Sequence, residues 1–233
     1  MTLHARGVAS LLAFGLLAAG GAHAEVSGSV TLTSDYLFRG LSQTNEEPAL
    51  QGGIDYTHQS GFYAGAWGSS ISWLSDADPD VSSQVEVDLY LGYGGEFGDS
   101  GLGYDAGAIY YWYPGDYPPG FTDPDTTEVY FGLGYGMFAA KYSYAVTDLF
   151  GLPDSDGSGN LDVTADWELT PGWTLNAAVG KQWVSGYEGA DYAFWKLGLS
   201  KGFENGFELA AALNDNDLIG PDETFTFAVA KSF

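Results

Sequence analysis

The chain has 233 residues, with 31 acidic and 7 basic side chains, a formal net charge of −24 and no cysteine. The absence of cysteine excludes thiol enzymes, disulfide scaffolds and cysteine-ligated zinc sites, and so acidic a chain lacks the basic surface that nucleic-acid binding requires. Because 45% of the residues are hydrophobic and 16% are aromatic, the composition also argues against disorder, and the length fits a single domain.

The N-terminal segment carries the features of a secretory signal peptide. Arg6 precedes an apolar stretch over residues 8–19, and the small residues Ala22 and Ala24 flank His23. The apolar stretch is shorter than the ~20 residues that a membrane-spanning helix needs. We therefore predict that residues 1–24 are a cleavable signal peptide for export and that residues 25–233 form the mature domain.

The mature chain alternates between apolar and polar residues over one segment after another. From Val85 to Tyr93 every second residue is apolar, and Leu161–Leu169 repeats the pattern against a polar face that contains Asp162 and Asp166. A period of two is typical of β-strands with two unlike faces, and no segment shows a convincing helical period. The pattern predicts about twelve strands, near residues 26–38, 48–58, 61–73, 82–97, 101–113, 126–137, 138–147, 160–169, 172–184, 190–203, 205–214 and 222–233.

The connections between these strands alternate between short and long. Short turns such as 59–60 and 170–171 follow the even-numbered strands, whereas long connections such as 114–125 and 148–159 hold the clusters of proline and acidic residues. This layout is typical of a bacterial outer-membrane barrel. A soluble β-sandwich would alternate as well, but its strands typically run only ~5–6 residues. The predicted fold is therefore an all-β, transmembrane, antiparallel up-and-down β-barrel in the outer membrane.

Aromatic residues recur at a spacing that suits two membrane interfaces. Trp173 and Trp183 share one face of a predicted strand, as do Tyr63 and Trp73, and each pair is ten residues apart. Ten residues of a tilted strand rise about 25 Å, which is the height of a lipid-facing apolar band. We therefore predict that both pairs lie in aromatic girdles.

Three segments near the start of the mature chain carry a family resemblance. Residues 33–44 read TSDYLFRGLSQT, residues 48–56 read PALQGGIDY and residues 61–69 read GFYAGAWGS. They resemble the TorF-type family of outer-membrane porins, which was formerly catalogued as conserved proteins of unknown function, and the resemblance extends over the mature chain. Phe233 resembles the C-terminal aromatic residue that the barrel assembly machinery recognises in outer-membrane proteins. The resemblance implies that this machinery is a partner of the chain.

If the apolar faces contact lipid, the polar faces enclose a lumen in which acidic residues outnumber basic ones. An interior of one sign concentrates ions of the other sign, as charged rings do in cation channels. We predict a channel for passive diffusion of small hydrophilic solutes that prefers cations. Its predicted pore-lining residues are Asp35, Arg39, Asp55, Glu86, Asp88, Asp105, Glu128, Asp166 and Glu208.

Two alternatives remain open inside the predicted lumen. Arg39, the only arginine after residue 24, has inward parity with Asp35. It either forms a constriction in which opposed charges orient a solute, or it makes a structural ion pair with Asp35 or another lumen acid, since a desolvated arginine needs a partner. The lumen itself is either an open pore or is filled by side chains, with its acids paired to tyrosine hydroxyls.

Two other functional classes compete with a channel. A non-conducting structural or adhesive barrel would use its acidic long loops to bind a partner or divalent cations. An enzyme needs a general base, and the one histidine of the mature chain, His58, lies beside a predicted short turn with no readable Ser–His–acid arrangement. We predict no catalysis, no cofactor and no dedicated metal site. The expected partners are outer-membrane lipid, small hydrophilic solutes and the assembly machinery.

Overall fold

The computed structural model of the protein describes residues 24–218 and 223–233. The predicted signal peptide, apart from Ala24, lies outside these residues. Within the described parts of the chain, twelve antiparallel strands close into one barrel, in which each strand pairs with its sequence neighbours and the first pairs with the last. The predicted all-β up-and-down barrel is confirmed.

Fourteen strands and one short helix make up the described structure, and two of the strands form a small hairpin apart from the barrel. That hairpin consists of β2 (Leu37–Phe38) and β3 (Leu41–Ser42), and the helix is α1 (Trp73–Ala77). The barrel strands are β1 (Glu25–Thr33), β4 (Ala49–Thr57), β5 (Phe62–Ser70), β6 (Val85–Glu96), β7 (Leu102–Trp112), β8 (Thr126–Tyr135), β9 (Phe138–Ala145), β10 (Gly159–Thr170), β11 (Trp173–Trp183), β12 (Tyr192–Gly202), β13 (Phe207–Asn216) and β14 (Thr224–Ser232).

The two faces of the barrel wall differ as the alternation predicts. On β6, Leu89 and Leu91 point outward and are 46% and 55% exposed, whereas Glu86 and Asp88 point inward and are each 1% exposed. The same outward exposure of large apolar side chains recurs on the other barrel strands. An exposed apolar surface of this extent is suited to lipid rather than to water.

The two ends of the barrel are unlike. Short turns over residues 58–61, 97–101, 136–137, 171–172 and 203–206 join the strands at one end, which we call the turn end. The longer connections 34–48, 71–84, 113–125, 146–158 and 184–191 lie at the other, which we call the loop end. Within residues 24–218 and 223–233, no helical segment has the length and apolarity for a membrane span.

The structure corrects two predictions. Strand β1 ends at Thr33 rather than at residue 38, because residues 34–44 fold back into the barrel. The aromatic girdle predicted for Tyr63 and Trp73 is wrong: Tyr63 points into the lumen, where it donates a hydrogen bond to Asp105, and Trp73 begins helix α1 and packs against Tyr113. Trp173 and Trp183 do lie on the outer face, 39% and 37% exposed.

Candidate functional site

A hairpin inserts into the loop end of the barrel, and we call residues 34–44 the finger. Its two tip residues, Arg39 and Gly40, have positive φ angles of 50° and 78°, as a two-residue hairpin turn requires at both central positions. A side chain at position 40 would place its Cβ 2.7 Å from the Cβ of Phe194 on β12, so that position requires glycine. Arginine in the left-handed region costs about 1 kcal/mol or more, and it persists only where its surroundings hold it.

The base of the finger is closed by its own side chains. The Asp35 carboxylate accepts hydrogen bonds from the hydroxyls of Ser42 at 2.6 Å and Thr44 at 3.0 Å. The backbone N–H of Tyr36 donates to the Thr44 hydroxyl, and the N–H of Gln43 donates to the Tyr36 carbonyl at 2.7 Å. These bonds stabilise the base of the finger as a local unit.

The tip of the finger is bonded to strands on several sides of the lumen. Arg39 makes an ion pair with Glu128 on β8, Nη2 to Oε2 at 2.6 Å, and donates to Gln182 on β11 at 2.7 Å. Tyr36 donates to Glu86 on β6 at 3.0 Å, and Asn216 on β13 donates to the Gly40 carbonyl at 2.8 Å. Because these four strands are distributed around the barrel, the finger crosses the lumen rather than lying along one wall.

Burial and charge together fix the protonation states of Arg39 and Tyr36 in the finger. Burial lowers the pKa of the Arg39 guanidinium, but attraction to Glu128, Tyr111 and Asp162 and the hydrogen bond to Glu128 together raise it above the ordinary value. Burial, and then the carboxylates of Glu86 and Asp88, raise the pKa of Tyr36 well above its ordinary value. The Arg39 guanidinium therefore stays charged and the Tyr36 hydroxyl stays a neutral donor over the physiological range.

Aromatic rings fill the space around the finger. Phe38 packs edge-on against Tyr111 at 5.7 Å and against Phe150 at 5.5 Å, and Tyr36 does so against Trp67 at 5.5 Å. The Arg39 guanidinium lies over the Phe38 ring at 4.7 Å. The loop half of the lumen is consequently a packed interior, and five predicted pore-lining residues are buried in it: Asp35, Arg39, Glu86, Asp88 and Glu128.

The turn half of the lumen holds the other four predicted residues, three of them in a wetter setting. Asp166 is exposed and Asp55 and Asp105 are half-buried, whereas Glu208 is 7% exposed. Neutral donors hold three of these carboxylates in place: Tyr90 bonds Asp55 at 2.5 Å, Tyr63 bonds Asp105 at 2.7 Å and Asn176 bonds Asp166 at 2.7 Å. Lys196 lies within electrostatic reach of Asp166 and Glu208.

The sequence identified the inward acids and left open that tyrosine hydroxyls pair with them, but it named none of the side chains that hold the acids or Arg39. Gln182, Tyr63, Tyr90 and Tyr130 were not among the predicted lumen residues. Parity could have found Tyr90 and Tyr130, since they share the inward faces of Asp88 and Glu128. Of the two interpretations of Arg39, the structure shows the ion pair, and its partner is Glu128 rather than Asp35.

Two other features bear on the competing functional classes. Among the described residues, no group of three or more His, Cys, Asp or Glu side chains is placed to hold a metal ion. His58 contacts the hydroxyl of Ser60 at 2.9 Å within its own exposed turn, at the end of the barrel opposite the finger.

The comparisons with known proteins agree with this architecture. A family model described as a bacterial protein of unknown function (Gcw_chp) matches residues 18–233. The chain belongs to the Gcw_chp family. The family description gives no activity, so the TorF resemblance stays a prediction, and no curated protein matches this Gcw_chp chain.

Solved structures of porins share the fold of this Gcw_chp protein. A KdgM porin superposes with a TM-score of 0.57 at 7% identity, covering 89% of this chain and 98% of that one. A NanC porin superposes with a TM-score of 0.53 at 10% identity, covering 90% of this chain and 99% of that one. At such low identities the likeness shows the fold alone.

Proposed function

We propose that this protein is an outer-membrane channel for passive diffusion of small hydrophilic solutes, that it prefers cations, and that the finger narrows it at the loop end. The observation that carries the proposal is the set of carboxylates toward the turn end of a closed barrel, Asp55, Asp105 and Asp166. The exposed apolar outer face supports residence in lipid. The porin fold of the structural relatives supports the same class.

The preference for cations rests on how these carboxylates are held. Their hydrogen-bond donors are tyrosine and asparagine side chains, which fix the carboxylates without supplying a positive charge. A lumen surrounded by low-dielectric walls focuses the field of such charges and raises the local concentration of cations. Two lysines oppose this field: Lys196 lies near Asp166 and Glu208, and Lys141 lies within electrostatic reach of Asp105. They offset only part of the field of four carboxylates.

The finger is the proposed determinant of conductance. It is bonded to four strands across the lumen, and the aromatic layer around it is buried. A solute that passes the barrel must pass beside or displace this segment. We place the loop end outside the cell and the turn end in the periplasm, because short turns face the periplasm in outer-membrane barrels. Export would use the predicted signal peptide, and assembly would use strand β14 with the Phe233 that follows it.

Planar-bilayer recording tests this proposal. Protein purified from outer membranes is inserted into a bilayer under a potassium chloride gradient, after its heat-modifiable gel migration confirms a folded barrel. We expect small, steady conductance steps and a reversal potential of the sign for cation selectivity. An anion-selective reversal potential contradicts the charge argument. A folded barrel that never conducts, with or without the finger, contradicts the channel itself.

A non-conducting adhesive barrel is the second candidate, and the packed loop half is the observation that favours it. In that case the exposed acids of the long connections, among them Asp123, Asp154 and Glu188, would bind a partner. Neutralising these three residues separates the two functions. Adhesion to a positively charged surface should fall if the loops bind a partner, whereas conductance should persist if the barrel is a channel.

A further inference from the structure

Two lysines on the outer face of the barrel are held at the turn end in the same way. Lys201 on β12 pairs across the strands with Trp173 on β11, and Lys231 on β14 pairs with Phe207 on β13. Each ammonium group lies over the ring of its cross-strand partner, at 5.3 Å for Lys201 and 5.6 Å for Lys231. The same arrangement therefore occurs in two neighbouring strand pairs.

Each ammonium group bonds a backbone carbonyl beside a turn glycine. Lys201 donates to the Pro171 carbonyl at 3.1 Å, and a Cβ at Gly172 would lie 3.0 Å from its Nζ atom. Lys231 donates to the carbonyl of the following residue, and a Cβ at Gly206 would lie 2.9 Å from its Nζ atom. Because an ammonium group has three donors, two remain on each lysine for a ligand.

The positive charges of these two lysines are not compensated. Among the residues that the structure describes, neither ammonium group makes an ion pair with a carboxylate, and both side chains are partly exposed. Glu204, exposed in the turn 203–206, weakens but does not cancel the potential of two lysines. In a chain with a net charge of −24, two such neighbouring cations indicate an anionic ligand that the chain itself does not supply.

Away from the turn end, the outer face beside these lysines is apolar. Leu199 precedes Lys201 on the same face and is 40% exposed, and Phe227 precedes Lys231 and is 45% exposed. The aromatic partners lie at the level of the lysines, as aromatic residues do at a membrane interface. An anionic phospholipid matches both features, with its phosphate at the height of the ammonium groups and its acyl chains along the apolar wall.

We infer that Lys201 and Lys231 bind the phosphates of anionic phospholipids in the leaflet that surrounds the turn end. The strand register places the two lysines two strands and two residues apart, which is about 12 Å between their Cα atoms. Each lysine therefore takes a phosphate of its own. A zwitterionic lipid binds less tightly because its own amine compensates its phosphate. The inference requires the barrel to lie in lipid, as proposed above, but not to conduct.

Native mass spectrometry measures this binding directly. The full protein in detergent micelles is titrated with phosphatidylglycerol or phosphatidylcholine that carry identical acyl chains, and the bound lipids are counted. We expect phosphatidylglycerol to bind about fivefold tighter, which is about 1 kcal/mol and the size expected of exposed charge pairs. An excess of glycerol 3-phosphate should not displace it, because the soluble phosphate makes no contact with the apolar wall.

A double variant and a matched control locate the site. Lys201→Gln with Lys231→Gln removes both charges, so phosphatidylglycerol should weaken to the level of phosphatidylcholine, while phosphatidylcholine is unchanged. Lys181→Gln is the control, since Lys181 also lies over an outward tryptophan ring, that of Trp183 at 5.7 Å, but at the loop end. This variant should keep the fivefold preference.

The outcomes separate a lipid site from general attraction to a cation. Equal affinity of the wild type for the two lipids overturns the inference. A preference that survives in the double variant, or that falls as far in Lys181→Gln, overturns the assignment to these two lysines. Displacement by glycerol 3-phosphate would show a site for free phosphate rather than lipid. If the double variant does not fold, as judged by heat-modifiable migration, each single variant should lose part of the preference. A folded barrel that never conducts leaves these expected affinities as they are.

Discussion

The two halves of the lumen are built from the same strands and the same inward parity, yet their acids lie in opposite environments. Toward the loop end, Glu86, Asp88 and Glu128 are each at most 2% exposed, and the finger supplies donors to two of them. Toward the turn end, Asp55 and Asp105 are half-buried and Asp166 is exposed, and Glu208, 7% exposed, is the exception. A single inserted connection, rather than the strand sequences, therefore decides which acids stabilise the fold. The same connection decides which acids create an electrostatic field in the wet part of the lumen.

Removing the finger should have the largest effect on the difference between the two halves of the lumen. Replacement of residues 35–44 by a short glycine–serine linker leaves the loop half without its inserted segment, and we expect single-channel conductance to rise several-fold. Planar-bilayer recording measures it. The matched control is deletion of Pro119–Gly120 from the exposed tip of another long connection, which should leave conductance unchanged. Equal conductance of the wild type and the finger deletion would show that the finger does not limit passage.

The ion pair at the finger tip offers a subtler way to open the loop half. Removing one partner of a buried pair costs about 3–5 kcal/mol because the other charge is left uncompensated, whereas replacing both partners by apolar residues is often neutral. We expect Glu128→Met alone to increase the frequency of high-conductance openings. The double variant Arg39→Met with Glu128→Met should return toward wild-type behaviour. If the double variant shows high-conductance openings as often as Glu128→Met alone, the ion pair is not what holds the finger.

Charge in the turn half should control selectivity without affecting the finger. The triple variant Asp55→Asn, Asp105→Asn and Asp166→Asn keeps an oxygen acceptor for each donor and removes three negative charges from the lumen. Its reversal potential should move toward zero, with conductance and assembly retained. Glu204→Gln, in an exposed short turn outside the lumen, is the charge-matched control and should not change selectivity. Selectivity that is the same in the triple variant and the wild type contradicts the assignment.

Strand parity predicted the barrel because it depends only on neighbours along the chain. The alternation from Val85 to Tyr93 reports directly on which side chains face outward, and the structure places them there. The finger was not predictable in this way, since its contacts join residues far apart: Arg39 reaches Glu128 and Gln182, 89 and 143 positions away. The ten-residue spacing gave a wrong prediction for Trp73. Such an interval indicates a membrane interface only where the strand continues, and β5 ends at Ser70.

The role of the tyrosines that hold the turn-half acids can be tested by substituting the glycines that their rings contact. This substitution has the smallest expected effect. A Cβ added at Gly65 would lie 2.5 Å from the ring of Tyr90, so the ring must move and release Asp55. Crowding of this kind costs about 1–3 kcal/mol. Gly65→Ala should therefore lower the temperature at which the barrel unfolds in heat-modifiability gels by a few degrees. Gly202→Ala, whose Cβ would meet nothing within 4 Å, should not. If both variants unfold at the wild-type temperature, the tyrosine layer is loose enough to rearrange. In that case the carboxylates of the turn half owe their positions to the strands alone.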